Sequence, residues 1–419
     1  MRISDRKSPL TSLASLRTFS SLKNPVYRLY FFGMLGQYAS MNMQMVTGSL
    51  LIYRLTGSAA LLGTLSLAHA IPMIITSIFG GAIADRMQKK QVLYLGLLFS
   101  AAVSLGIALA LTTGQLSKEN IGSWWILMVS SFCQGAIMGL MLPARQSIIP
   151  EIVTKDQALN AVALNTLGMN VLTLTAPALA GFMIDAFDFD SVYYCMTGMN
   201  VYAAVIIFFV PHTSRISRSA SNILMDIKDG FQYIRREKML LFVLAFTLMA
   251  VVLSMPYRQL LPIFVDDILK VGATGMGILF SVSAIGAMIG SLSMASFPNK
   301  KRGLLLMSSS FISGVALISF SFSTVWSLSL VFIVFVGLGQ TLRGTLSSAL
   351  LQSYTEERYM GRVMSILMME WGIVSLCTFA AGLMAEVMPV QWVIGGFALL
   401  LITLALLAMI FIPSIRKLD

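Results

Sequence analysis

Apolar positions in this chain do not alternate with polar ones; they run. Stretches of about twenty residues, rich in Leu, Ala, Gly and Met, recur from residue 28 to residue 412 with short polar connections between them. A helix of that length crosses a hydrocarbon core of about 30 Å at about 1.5 Å per residue. Twelve runs meet the requirement: 28–53, 59–84, 91–112, 122–143, 157–184, 190–211, 239–265, 272–296, 303–323, 327–353, 361–387 and 391–412. Their continuity excludes a membrane barrel, whose strands are short and alternate, and a helix satisfies its own backbone groups in lipid. The expected fold class is all-α and integral to the membrane, with twelve transmembrane helices.

The pattern repeats at half length. Thr154-Lys155-Asp156, followed by a helix through Val162, matches Thr355-Glu356-Glu357, followed by a helix through Val363, and Lys89-Lys90 has an echo in Lys300-Lys301. Duplication of this kind places a substrate path between the repeats. The division is a tail at 1–27, a six-helix bundle at 28–211, a linker at 212–238, a second six-helix bundle at 239–412 and a tail at 413–419. Within the linker, Ile223, Leu224, Ile227, Phe231 and Ile234 recur at helical spacing around Asp226, Lys228 and Asp229. That spacing predicts an amphipathic helix at the membrane surface.

Composition and charge then fix the setting. With 57% hydrophobic and 11% charged residues the chain has too little polar surface for a soluble domain. Of its 29 Lys and Arg, 24 fall in the tails and even-numbered connections, against Arg54, Lys118 and Lys270 in the opposite loops. Both termini are therefore expected in the cytoplasm, with the chain in a bacterial cytoplasmic membrane. The opposite loops carry acids: Glu119, Asp185, Asp188, Asp190, Asp266, Asp267 and Glu386. The net charge of +11 is thus a topology signal, and no nucleic-acid partner is implied. The basic, Ser-rich first 27 residues lack an apolar core and cleavage site, which predicts a retained tail. Cys133, Cys195 and Cys377 lie inside predicted helices without pairing or metal-ligand spacing and read as packing residues.

The segment Gly81, Asp85, Arg86, Lys89, Lys90 gathers charge where a greasy span ends. It resembles the loop signature of the major facilitator superfamily between its second and third helices, with Gln88 where the family usually has Gly. Four further segments resemble the drug and siderophore exporter branch, which includes macrolide efflux proteins and the enterobactin exporter. These are Pro143-Ala144-Arg145-Gln146-Ser147 with Pro150-Glu151; Asp229-Gly230-Phe231 with Tyr233, Arg235 and Arg236; Gly361-Arg362-Val363-Met364-Ser365; and Thr56-Gly57-Ser58. The resemblance implies two pseudo-symmetric six-helix halves working by alternating access. It also implies a cytoplasmic latch, Asp85 facing the positive N-terminus of the eleventh span near Arg362. Ala176-Pro177-Ala178-Leu179-Ala180-Gly181 resembles the helix-bend motif of antiporters, with Ala176 in place of Gly; ordinary small-residue packing explains it equally well.

Ionisable residues at membrane depth are costly, so each is a functional candidate. Glu370 sits about 14 Å into the eleventh span, near the midplane. Arg343 and His69 reach similar depth, and Arg258 lies nearer the outer end of the seventh span. A midplane carboxylate suits a proton carrier, with Arg343 or His69 as partner; a fixed salt bridge, and for His69 a plain hydrogen bond, are the competing readings. Cavity candidates are Asn42, Gln44, Gln134, Asn165, Asn170, Arg258, Gln259 and Gln340, each of which equally suits helix-to-helix hydrogen bonding. The first span lacks the carboxylate that many of the resembled drug exporters carry there, which favours neutral, anionic or zwitterionic substrates, while Glu370 leaves cations open. The 29 Met read as filler before they read as an adaptable pocket.

No metal-ligand cluster, nucleophile with a base, or phosphate-binding loop is present in the sequence, which argues against an enzyme and against direct use of ATP. The expected function is proton-coupled export of amphiphilic small molecules such as drugs, macrolides or siderophores by a monomer in the bilayer. It needs no cofactor beyond the proton gradient. A lipid translocator, a solute importer and a transport-inactive sensor or scaffold are the alternatives.

Overall fold

A computed structural model describes residues 17–120, 122–211, 231–296 and 300–412, with the side chains of residues 17, 18, 78, 79, 81–86, 295 and 368 outside that description. Both chain ends beyond 17 and 412, and most of the expected linker helix, also lie outside it. The linker's last turn, 231–236, is helical and buries Ile234 while exposing Phe231.

The helices are α1 (Pro25–Thr56), α2 (Ala59–Arg86), α3 (Lys89–Thr112), α4 (Trp125–Ile152), α5 (Lys155–Phe208), α6 (Lys238–Ser254), α7 (Tyr257–Ile263), α8 (Gly272–Ser296), α9 (Arg302–Ser321), α10 (Trp326–Tyr354), α11 (Met360–Met368), α12 (Glu370–Val387) and α13 (Val390–Phe411). Their ends follow local chemistry. Asn24 caps α1 by accepting from the backbone N–H of Val26 and Tyr27 at 3.0 and 3.3 Å, and Pro25 occupies the first turn, where no N–H is needed. Gly57 closes the same helix at φ 66°, its N–H bonded to the Tyr53 carbonyl at 2.7 Å.

Among the described residues ten helical stretches are long and apolar enough to cross a membrane. One of them, α5, runs 54 residues but breaks at Asp188, whose φ of 72° falls in the gap the sequence left between the fifth and sixth spans. At 32 residues α1 has the length but is not among the ten; Gln37, Ser40, Asn42, Gln44 and Thr47 dilute its apolar content.

Two spans expected to be continuous are interrupted. The seventh divides into α6 and α7 at Met255-Pro256, and α7 runs into a π-helical turn at Phe264–Ile268. Pro256 and Pro262 supply the cause, since neither offers an N–H to the helical ladder. The eleventh divides into α11 and α12 at Met369, so Glu370 opens a helix instead of sitting within one.

Packing is uneven along the bundle. One apolar cluster draws only on residues 27–210, and a second only on residues 234–412. A third mixes both, setting Leu50, Leu62, Ala180 and Tyr193 among Leu260, Ala273, Leu317 and Ala381. The mixed core lies toward the end that carries Arg54, Asp185, Asp266 and Glu386, termed the acidic end below; the separate cores lie toward the other, basic end.

Asn24 also ties α1 to α4, donating its side-chain N–H to the Ile152 carbonyl at 2.9 Å. Asn24→Ala is expected to destabilise the protein by about 1–2 kcal/mol. Asn24→Asp, which keeps the cap and loses only the Ile152 bond, is expected to cost less; melting in detergent measures both.

Candidate transport pathway

The acidic end is held by carboxylates reaching across the sequence midpoint. Asp185, near the end of the first arm of α5, accepts from the backbone N–H of Ala273 and Thr274 at 3.2 and 2.7 Å and so caps α8. Glu386, at the end of α12, accepts from the N–H of Ala60 at 2.8 Å and from the Ser58 hydroxyl, capping α2. A carboxylate at a helix N-terminus meets unpaired donors and the positive end of the helix dipole. Arg54 adds a two-pronged ion pair with Asp266 at 2.9 and 3.0 Å, and Tyr53 donates its hydroxyl to Asp267.

Small residues let these groups meet. Pro177, Gly181 and Asp185 follow one another every four residues along α5 and all face α8. A Cβ on Gly181 would collide with the Ala273 carbonyl, and one on Gly277 with the Pro177 carbonyl. On the other pair of helices, a Cβ on Gly63 would lie 2.7 Å from the Phe379 Cα, and one on Gly382 2.6 Å from the Ala59 carbonyl. Gly382 and Glu386 stand 201 residues after Gly181 and Asp185, the same offset as the sequence repeat. The Pro177–Gly181 segment thus packs closely against α8. These hydrogen bonds and the Arg54–Asp266 ion pair, which join the chain before 211 to the chain after 231, all lie at the acidic end.

The interior of the first half gathers polar groups around α1. Tyr38 exchanges hydrogen bonds with Asn165 of α5 at 3.1 and 3.3 Å, and the Arg145 guanidinium lies 5.5 Å from the Tyr38 ring centre. Arg145, grouped in the sequence with the gating charges, thus reaches from α4 to the ring face of Tyr38 on α1. Gln37, which the sequence reading passed over, is buried beside Met141 with its amide N 3.7 Å from the sulfur. Its position one residue before Tyr38 on the polar stretch of α1 was the available signal. Gln134 and Gln37 each keep a buried side-chain oxygen without a protein partner. Asn42 spends its side chain on the Tyr38 carbonyl of its own helix at 2.8 Å, Gln44 faces the Tyr193 hydroxyl, and Asn170 is exposed.

In the second half, Thr247 and Ser347 share a hydrogen bond of 2.6 Å, and Gln340 donates to the Ser254 carbonyl at 3.1 Å, fixing α10 against α6. Arg343 projects between these two contacts and is only 3% exposed. Glu370, half-buried at the start of α12, acts electrostatically on Arg343 without forming an ion pair with it. His69 is not brought to this pair; its ring lies against the Ser131 backbone across the α2–α4 contact, where a Cβ on Gly135 would meet the His69 carbonyl. Arg258 and Gln259 sit half-buried in the first turn after the Met255-Pro256 break.

The other charges expected to act in gating divide. Lys89 pairs with Glu151 and also donates to the Ser147 carbonyl at 3.3 Å, while Lys90 lies 5.2 Å over the Phe208 ring, so both bind α3 to its neighbours within the first half. Arg362 and Arg358 each rest 5.6 Å from the Tyr359 ring centre, and Tyr359 stacks on Tyr233 at 4.1 Å. The side chains of Gly81, Asp85 and Arg86 fall outside the described residues.

Gly181→Leu is expected to push α5 and α8 apart at the acidic end. With the native cysteines replaced, Cys substituted for Thr274 is expected to react several-fold faster with an impermeant maleimide in that background; equal rates would remove the contact from the closure.

The Major Facilitator Superfamily profile matches residues 30–376. The Staphyloferrin A transporter of Staphylococcus aureus is 24% identical over 86% of this chain and 89% of its own. Macrolide efflux protein A of Streptococcus pyogenes is 23% identical over 74% of this chain and 77% of its own. The crystal structure of nucleoside transporter NupG superposes with a TM-score of 0.74 at 14% identity, covering 94% of this chain and all of NupG, which establishes likeness of fold. Profile, relatives and bundle agree, and this chain belongs to the major facilitator superfamily.

Proposed function

We propose that this chain is a twelve-span secondary transporter of the exporter branch, carrying amphiphilic small molecules out across a bacterial cytoplasmic membrane in exchange for protons. In this reading α5 crosses twice and α1 crosses despite its polar residues. The halves are 28–211 and 239–412, the linker 212–238 lies at the cytoplasmic face, and the tails 1–27 and 413–419 are cytoplasmic.

The observation that carries the reading is the contrast between the two ends. A mixed core and carboxylate caps close the acidic end, whereas the described residues of the basic end form two cores that do not merge. Such a bundle has one end to unlock and one already divided, as two halves rocking about a central path require. With the basic end in the cytoplasm, this is the inward-open member of the cycle. The staphyloferrin and macrolide relatives support a small amphiphilic cargo, and the macrolide efflux relative supports the outward direction.

Glu370 is the proposed proton carrier. It opens α12, lies half-buried, and has Arg343 near enough to feel its charge but no ion pair to hold it permanently. Cargo and proton would compete through that charge balance: a protonated Glu370 frees Arg343, and an ionised one restrains it. Asp85 is proposed to latch onto the start of α11 when the basic end closes, shifting the balance toward the outward-open state.

Expression in an efflux-deficient bacterium, with resistance to a compound panel scored with and without a proton gradient, tests the whole reading. Gradient-dependent resistance is expected; accumulation of compound inside points to import, and altered membrane lipid alone points to lipid translocation. Glu370→Gln is expected to abolish gradient-driven export, a fall of at least about a hundredfold in rate, while binding survives. Unchanged export in that variant would falsify the carrier role. Asp85→Asn is expected to slow transport several-fold at normal expression, and normal transport would remove the latch.

A further inference from the structure

Charge inside the bundle does not balance. Between the two ends the described residues place three arginines, Arg145, Arg258 and Arg343, against one carboxylate, Glu370. Glu370 acts on Arg343. Nearer the two ends, Arg54 has Asp266 and Lys89 has Glu151. Arg145 and Arg258 have no such acid: among the described residues no carboxylate stands at ion-pair distance from either. Each also buries one guanidinium nitrogen, Nη1 of Arg145 and Nε of Arg258, with no protein acceptor.

A charge at membrane depth without a counter-charge is costly, and both residues carry that cost. The Tyr38 ring offsets part of that cost for Arg145, but a ring face accepts no directed N–H bond. For Arg258 the described residues offer no ring at all.

Position adds a second observation. Arg145 reaches Tyr38, thirteen residues into α1 and so about 20 Å along it. Arg258 follows the break that divides the seventh span, and interrupted helices at membrane depth are where transporters of this build place cargo. α1 packs against both α4 and α7, the helices that carry the two residues. One arginine belongs to each half.

We propose that the cargo is an organic carboxylate anion, recognised by Arg145 in the first half and by Arg258 in the second. The planar fork of each guanidinium matches the two oxygens of a carboxylate and would supply the missing acceptors and the missing charge together. The assignment deepens the transport reading by naming the substrate class; it rests on that reading for a cargo path, and not for direction.

The test uses the full-length protein in detergent and two xanthene dyes of opposite charge, the anion fluorescein and the cation rhodamine 6G, with binding followed by fluorescence anisotropy. Saturable binding of fluorescein, at least about tenfold tighter than that of rhodamine 6G, is expected. Arg145→Gln and Arg258→Gln are each expected to weaken fluorescein binding by about tenfold or more, and Arg145→Lys to recover most of the loss. The dye comparison on the parent protein stands even where a variant fails to fold. Preference for rhodamine 6G, equal affinity for the two dyes, no saturable fluorescein binding, or undiminished binding in both Gln variants overturns the proposal. Fluorescein that binds as expected but is not moved outward by vesicles counts against the export reading and leaves the anion assignment standing.

Discussion

Two carboxylates, each ending one helix and capping the start of another, hold the rest of this structure in its present form. Asp185 does so for α8 and Glu386 for α2. Without glycine at 181, 277, 63 and 382 the backbones would stand too far apart for these caps to reach. Close packing and capping are therefore one device, in which van der Waals contact brings donors and acceptor together and the dipole rewards their meeting. Its double occurrence along the chain gives the acidic end two matching hinges of contact, while the basic end keeps separate cores.

Charge is the second organising constraint. In lipid an unpaired ion is expensive, and several ions here are dealt with locally: Lys89 with Glu151, Arg54 with Asp266, Lys90 over Phe208, Arg362 over Tyr359. Between the two ends the described residues leave Glu370 near Arg343, then Arg145 and Arg258. A transporter has to leave some polar capacity unspent at the centre, because whatever it spends on itself is unavailable to cargo or proton.

The breaks in the seventh and eleventh spans show how that capacity is positioned. At Met255-Pro256 the helix restarts with Arg258 and Gln259 in its first turn, and at Met369 it restarts with Glu370. An uninterrupted helix repeats its side chains on a fixed face, whereas a broken one can present a residue along a new direction. Each half thereby acquires an ionisable group at an interruption or beside α1 without disturbing the apolar faces that hold the bundle.

Most of the fold was legible from the sequence, because lipid leaves a chain little choice: continuous apolar runs must be helices, and their lengths and flanking charges are visible one residue at a time. Even the gap at Asp188 and the repeat that relates Gly181 to Gly382 could be read along the chain. The site was legible in part. Glu370, Arg343 and Asn165 announced themselves as polar residues at membrane depth, but Arg145 looked like a loop charge and Gln37 did not stand out. The acids Asp185 and Glu386 looked like topology markers alone. What those residues do depends on which helices lie opposite, and partners 88 and 326 residues away leave no mark on local pattern. The sequence by itself determined that this protein is a helical membrane bundle with a few costly charges inside. Tertiary packing alone decided which of those charges are paired off and which stay available, since pairing is a matter of distance in space.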